Sequence, residues 1–216
     1  MKITVIGGAG GVGRRLTTLL AEAGDAVTGV HRNAAQSEAV EQAGGTSALF
    51  DLIEGSTEDL AAVLQGQDAV VFSAGAHGTG REQTTLIDGR GLEKTADAAQ
   101  RAGVRRFVLV SVFPDAGRDV ETNDGFEHYM RVKKAADVHL TATDLDWVVV
   151  RPGTLTDGSG TGSVRAGWAV PYGDVARDDV AAFIAAALHE PRLHHVVVEL
   201  TGGDTPVGRA VADLLP

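Results

Sequence analysis

The chain has 216 residues, 44% of them hydrophobic and 22% charged, with 28 glycines, no cysteine and a net charge of −10. That length suits one domain with a real core. The acidic balance argues against a nucleic-acid partner, the missing cysteines exclude a disulfide framework, an iron–sulfur cluster and a thiol nucleophile, and no apolar run approaches the ~18 residues of a membrane span.

The first strand is expected at Lys2–Ile6, with no leader-like segment before it. Absence of cysteine fits a reducing cytoplasm. Further strands are expected at Ala26–Val30, Thr46–Phe50, Ala69–Phe72, Phe107–Val110, Trp147–Val150 and Val196–Leu200, all short and apolar enough to be buried on both faces. Helices alternate with them. Gly11–Ala23 places Val12, Leu16, Leu19, Leu20 and Ala23 at helical spacing, and Gly24 closes it. Ser56 opens Thr57–Leu64, Gly103 ends a long helix over Thr84–Ala102, and Asn123–Thr143 forms another. Asp178 and Asp179 read as an N-cap pair for the helix Asp179–Leu188, and Thr205-Pro206 reads as N-cap and first residue of a last short helix. This alternation predicts the α/β class, with a Rossmann-like doubly wound parallel sheet in a single domain. The least regular stretch, 153–177, is a candidate substrate loop region or a plain connector.

Between the first strand and the first helix lies Gly7-Gly8-Ala9-Gly10-Gly11-Val12-Gly13. It satisfies G-x-G-x-x-G through Gly8, Gly10 and Gly13. Glycines there allow a tight turn, close approach to a pyrophosphate and close helix–sheet packing, while the helix N-terminus offers free N–H groups to the phosphates. The second strand ends His31-Arg32-Asn33 with no acid. An acid would bind the ribose 2′-hydroxyl of NAD, whereas a guanidinium suits the 2′-phosphate of NADP, so NADP is the expected cofactor, with NAD possible. Arg14 and Arg15 are candidates to assist. Asp51-Leu52 follows the third strand, beside the expected adenine position, and Asp51 reads either as an adenine acceptor or as an exposed turn residue. Ser73, Ala74 and Gly75 follow the fourth strand and let the backbone pass close to the cofactor.

Together, the Gly7–Gly13 turn, Val30–Asn33, Phe72–Gly75, Val108–Ser111, Tyr129–Asp137, Val150–Leu155 and Arg177–Ala181 resemble the atypical short-chain dehydrogenases/reductases of the NAD(P)-binding, NmrA-like group over nearly the whole chain. The resemblance implies that Pro152, Gly153 and Thr154 face the nicotinamide end of the cofactor. It also implies a catalytic set. Tyr129 and Lys133, four apart on one helix face, would be the general acid or base and the residue that lowers its pKa and holds the ribose, and Ser111 would polarise a carbonyl. The plain alternative is a packed tyrosine and a solvated lysine.

Extended relatives of that group carry a larger C-terminal domain, which the short 153–177 stretch does not supply. A small-molecule substrate, flat or compact, such as a quinone, flavin or carbonyl compound, is therefore expected. Alternatives are a non-catalytic redox sensor that binds the dinucleotide, or a nucleotide-sugar epimerase or dehydratase. Phe113, Trp168 and Tyr172 are candidates for an aromatic wall, and His77 for the pocket mouth. His194-His195 lacks a carboxylate or second histidine at metal spacing nearby, so no metal site is expected. Oligomeric state stays open between monomer and weak dimer.

Overall fold

Every apolar run expected to be a strand is one in the computed structural model, which describes residues 1–76, 78–115 and 123–215. In chain order the elements are β1 (Lys2–Ile6), α1 (Gly11–Glu22), β2 (Ala26–His31), a 3₁₀ turn (Ala34–Gln36), α2 (Ser37–Gln42), β3 (Thr46–Leu49), α3 (Thr57–Leu64), β4 (Ala69–Phe72), α4 (Arg81–Thr84), a π-helical stretch (Thr85–Gly91), α5 (Leu92–Ala102) and β5 (Arg106–Val110). There follow α6 (Asp124–Thr141), β6 (Asp146–Pro152), β7 (Thr154–Thr156), β8 (Ser163–Gly167), β9 (Asp174–Ala176), α7 (Arg177–Leu188), β10 (Val196–Gly202), β11 (Thr205–Pro206) and α8 (Val207–Ala212).

The main sheet runs β11-β8-β10-β6-β5-β4-β1-β2-β3. From β3 to β10 all pairings are parallel, and β8 turns antiparallel against β10 at the far edge. The chain winds outward from β1 to β3, crosses back to β4 and winds outward the other way. Strand order therefore reverses between β1 and β4, and a crevice opens there at the carboxyl ends of the strands.

Residue alternation explains why these strands are buried on both faces. Ala69, Val71, Val108, Val148 and Val150 pack with Leu16 and Leu20 of α1 and Phe183 and Ile184 of α7. Their neighbours Val70, Phe72, Phe107, Leu109 and Val149 pack on the other side with Leu60 and Leu64 of α3, Ala96 of α5 and Leu140 of α6. One face of each strand serves each helical layer, so both faces must be apolar.

The caps follow from local chemistry. Gly24 and Gly103 take φ of +88° and +74° after their helices. The Ser56 hydroxyl accepts from the Asp59 N–H at 3.0 Å, and the Asn123 side chain accepts from the Phe126 N–H at 3.0 Å.

Several boundaries differ from the sequence expectation. The span Thr84–Ala102 is not one α-helix, because its first two turns widen into the π-helical stretch Thr85–Gly91. Thr205-Pro206 pairs with β8 as β11 and hands over to α8 at Val207. The stretch 153–177 is more ordered than its composition suggested, since it carries β7, β8 and β9. Asp178 and Asp179 lie inside the first turn of α7 rather than at its cap, which is Ala176. Asp179 is buried and accepts from the Thr161 and Gly162 N–H groups at 3.0 and 2.8 Å, so it pins the loop before β8.

Gly153 marks the tightest crossing. A Cβ there would stand 1.9 Å from the Gly173 carbonyl oxygen, whereas one at Gly173 would meet nothing within 4 Å. Gly153→Ala should therefore lower stability by about 1–3 kcal/mol or more, because backbone has to move. Gly173→Ala should stay within about 0.5 kcal/mol of the parent. Urea unfolding midpoints at unchanged slope measure both.

Candidate functional site

The glycine turn is built by backbone packed on backbone. Gly7 and Gly8 both donate to the Val30 carbonyl, at 2.9 and 3.0 Å, which ties the turn to β2. Gly7 has φ +84°, and a Cβ on it would lie 2.7 Å from the Ala74 nitrogen. A Cβ on Gly8 would lie 2.5 Å from Gly29 Cα, and one on Gly13 would lie 2.4 Å from the Gly7 oxygen. These three glycines are packing requirements. Gly10 differs: its only near neighbour would be the Gly7 oxygen at 3.1 Å, and it faces open space. Helix α1 then starts with no side-chain cap and no acid in its first turn. Its first N–H groups lack intrahelical partners and carry the positive end of the helix dipole.

Two cavities meet at this turn and share Gly10, Ser73, Ala74 and Gly75. The smaller, about 240 Å³, is lined by Gly7, Ala9, His31, Arg32, Asp51 and Leu52 among others. The larger, about 740 Å³, includes Gly11, Val12, Ser111, Tyr129, Lys133, Pro152 and Gly153 in its wall. The structure thus brings most of the sequence-predicted residues to one two-lobed cleft at the switch point. Gly8 and Gly13 sit behind it as packing residues. Asn33 is turned away, its side chain accepting from the Ala35 N–H at 3.0 Å. Thr154 also lies outside the lining, with its hydroxyl 2.7 Å from the Tyr172 hydroxyl.

In the smaller lobe His31 is buried and spent on the protein: its ring nitrogens lie 3.0 Å from the Asn33 carbonyl and 2.8 Å from the Ser47 hydroxyl. Arg32 beside it is exposed. Arg15 does not join it, since its guanidinium bonds Asp178 and the Gly11 carbonyl. Asp51 accepts the Ile53 N–H at 2.7 Å and so shapes its own loop. Lys94, which sequence reasoning missed, clamps that loop by donating to the Leu52 carbonyl at 2.7 Å and to the Gly55 carbonyl.

The larger lobe departs from the expected catalytic set. Ser111 is buried and donates to Asp137 at 2.5 Å, and Asp137 in turn receives Arg151 at 2.8 and 2.9 Å. The serine proton is directed at a carboxylate here, although Ser111 still lines the cavity. Lys133 is buried, donates to the Val110 carbonyl at 3.0 Å and lies 3.9 Å from Asp88. Burial pushes its ammonium below the usual lysine value, against the opposing pull of Asp88 and Asp137. Tyr129 moves the other way: burial and the Asp88 charge push the phenol well above its ordinary value. The lowered tyrosine pKa expected of a Tyr–Lys pair is therefore not what the surroundings produce.

Asp88 is the residue the sequence reading missed. It is buried in the cavity wall on the π-helical stretch and accepts the Ala76 N–H at 2.9 Å. An extra residue per turn is common where a helix borders a site. Gly89 and Gly91 inside the expected helix were the only local hint of irregularity.

Other expectations resolve as follows. Phe113 packs edge-on against Tyr172 at 5.3 Å between centroids, and Trp168 is exposed, so the three do not form one wall of the cleft. His77 lies outside the described residues. The fold does bring a carboxylate to His194 and His195: Asp146 joins them, with one candidate ligand atom from each within 4.8 Å of the others. Arg105 already holds both Asp146 oxygens, at 3.1 and 3.2 Å, so that carboxylate has its cation. No helix among the described residues is long and apolar enough to cross a membrane.

This geometry fits a dinucleotide, and residues 7–191 match the family described as NAD(P)H-binding. The chain belongs to that family. A Bacillus subtilis member of similar length, described as the uncharacterised sugar epimerase YhfK, is 37% identical over 216 residues, covering 99% of this chain and 100% of its own. A solved Bacillus halodurans structure, named as a candidate NAD-dependent epimerase/dehydratase, superposes with TM-score 0.90 at 31% identity over 99% of this chain and 100% of that one. ChuY from Escherichia coli O157:H7, described as an anaerobilin reductase, reaches TM-score 0.79 at 25% identity over 94% and 98% of the two chains. The fold of this NAD(P)H-binding chain is that of the atypical short-chain dehydrogenases/reductases, and its architecture is oxidoreductase-like.

The Asp88–Tyr129 pairing yields a pH prediction. With Tyr129 raised in the folded state, the unfolded chain ionises first above pH ~10, so stability falls as pH rises there. In a Tyr172→Phe background, ultraviolet titration should show no phenolate while the protein stays folded at that pH. Adding Asp88→Asn, which keeps an acceptor for Ala76, should bring phenolate ionisation to lower pH.

Proposed function

We propose that the chain is an NADPH-dependent oxidoreductase that passes hydride to a small, flat, conjugated acceptor of the quinone or flavin kind. The observation that carries this reading is the two-lobed cleft meeting at Gly10, with Arg32 in one lobe and Tyr129 and Lys133 in the other. The smaller lobe would hold the adenosine, with the exposed Arg32 at the 2′-phosphate and Asp51 and Leu52 beside the base. The first turn of α1 would hold the diphosphate, and the larger lobe has room for nicotinamide and acceptor together. When bound, the dinucleotide supplies a hydride, equivalent to two electrons and one proton.

The residues of the larger lobe supply position rather than an acid–base pair. Lys133, bonded to the Val110 carbonyl, would hold the ribose. Tyr129 keeps its proton at neutral pH and donates a hydrogen bond to the acceptor heteroatom on which negative charge grows. The balancing proton comes from water at the mouth near Gly78, Gly80 and Arg81. Flat conjugated acceptors tolerate this division because their reduced forms are stabilised anions before protonation. A sugar epimerase starts by removing a proton from an alcohol, and Asp88 beside Tyr129 opposes the phenolate that step requires. This supports reduction over epimerisation, in line with what ChuY is described as doing.

Arg32→Glu should lower NADPH affinity about 10–100-fold and narrow the preference over NADH, since it removes a charge-assisted pair and adds a repulsion. Thermal-shift titration with both cofactors measures it, and an unchanged preference would remove Arg32 from cofactor selection. For turnover, NADPH oxidation should proceed with quinones or flavins. Tyr129→Phe should slow it about tenfold, the worth of one neutral hydrogen bond, rather than the ~10²–10⁴ of a general acid. Tight NADPH binding with no turnover on any such acceptor would instead favour the non-catalytic sensor.

A further inference from the structure

Arg177 opens α7, yet its side chain reaches back across the head of α1. A Cβ on Gly11 would stand 2.9 Å from Arg177 Cδ and 3.0 Å from Nε, and both residues line the larger cavity. Two groups from one short segment hold the guanidinium: the Leu155 carbonyl at 3.3 Å and the Asp157 carboxylate at 3.0 Å. The Asp157 side chain is 76% exposed. Arg15, the other guanidinium at this mouth, is engaged by Asp178 and lies 3.6 Å from Asp157.

The electrostatic balance is informative. The mouth of α1 is positive from its dipole, has no first-turn acid of its own, and is flanked by two guanidinium groups. Arg15 is anchored by a carboxylate on α7. Arg177 is anchored by a carboxylate that is mostly in water, and such a pair contributes little. A diphosphate at Gly10–Val12 offers the same fork a denser charge in a more enclosed place, and phosphate oxygens match the bidentate guanidinium geometry.

We propose that Arg177 is a ligand of the cofactor diphosphate and that Asp157 is its placeholder, the two anions competing for one guanidinium. Because Leu155 and Asp157 share a segment and Leu155 lines the larger lobe, cofactor binding then acts directly on the wall that the acceptor touches. This rests on the dinucleotide reading above, and the test separates the two.

Isothermal titration of the full chain with NADPH, and with adenosine 2′-phosphate as a probe lacking the diphosphate, decides it. Arg177→Met should weaken NADPH about 10–100-fold and leave adenosine 2′-phosphate within about twofold. Asp157→Asn should tighten NADPH about two- to fivefold, and should lose that benefit in the double variant with Arg177→Met. Equal weakening of both probes by Arg177→Met would show a structural role and overturn the proposal, as would unchanged NADPH affinity. Should Arg177→Met fail to fold, Asp157→Asn with unaltered NADPH affinity overturns it alone. If the parent chain binds neither probe, the dinucleotide reading falls and takes this one with it.

Discussion

The arrangement depends on how closely the head of α1 can approach the sheet. Gly7 touches the backbone after β4, Gly8 touches Gly29 in β2, and Gly13 touches the Gly7 carbonyl, each at distances that leave no room for a Cβ. Three chain segments are thereby drawn to one point at the carboxyl ends of β1, β2 and β4. That contact lifts α1 so that its uncapped N-terminus faces the crevice at the switch point, and it splits the crevice into two lobes. Gly10 lines both lobes and would meet only the Gly7 oxygen with a Cβ, whereas Gly8 and Gly13 line neither lobe and are packed against backbone.

Charge is then distributed unevenly along the cleft. Arg32 lines the smaller lobe, Arg177 lines the larger one beside the head of α1, and Arg15 bonds the Gly11 carbonyl there, although the chain as a whole is acidic. The larger lobe holds a buried acid, Asp88, 3.9 Å from Lys133 and close enough for its charge to raise the Tyr129 phenol. A cationic lysine next to a tyrosine would favour phenolate, and a carboxylate in the same space opposes it. Low dielectric enlarges both effects, and burial together with the Asp88 charge holds the phenol above its ordinary pKa. The neighbouring Ser111–Asp137–Arg151 chain is fully bonded within the protein, a rigid floor under the cavity rather than a set of free donors.

The C-terminal quarter shows how a short chain covers its site. Here β8 pairs antiparallel with β10 at the edge of the main sheet, while β7 and β9 pair with each other as a separate two-stranded sheet. Asp178 and Asp179 fasten the segment before β8: Asp178 bonds Arg15 and the Gly160 N–H, and Asp179 bonds the loop 161–162. The two carboxylates at the start of α7 thus tie that segment to Arg15 of α1.

Periodicity and glycine placement were enough by themselves to determine the seven parallel strands of the main sheet, the helix starts at Ser56 and Asn123, and the location of the glycine turn, but not β8 and β11 at the sheet edge. Those features depend on local geometry: alternation along a strand, a capping oxygen three residues from an N–H, a turn too tight for side chains. Only the tertiary structure decided the surroundings of Asp88, Ser111, Tyr129 and Arg177. Each depends on a partner far away in sequence, Asp88 against Tyr129, Ser111 on Asp137, Arg177 over Gly11, and a titration or a hydrogen bond is governed by what stands within a few ångströms in space. Spacing along one helix placed Tyr129 and Lys133 side by side, but the acid that sets their protonation came from another element.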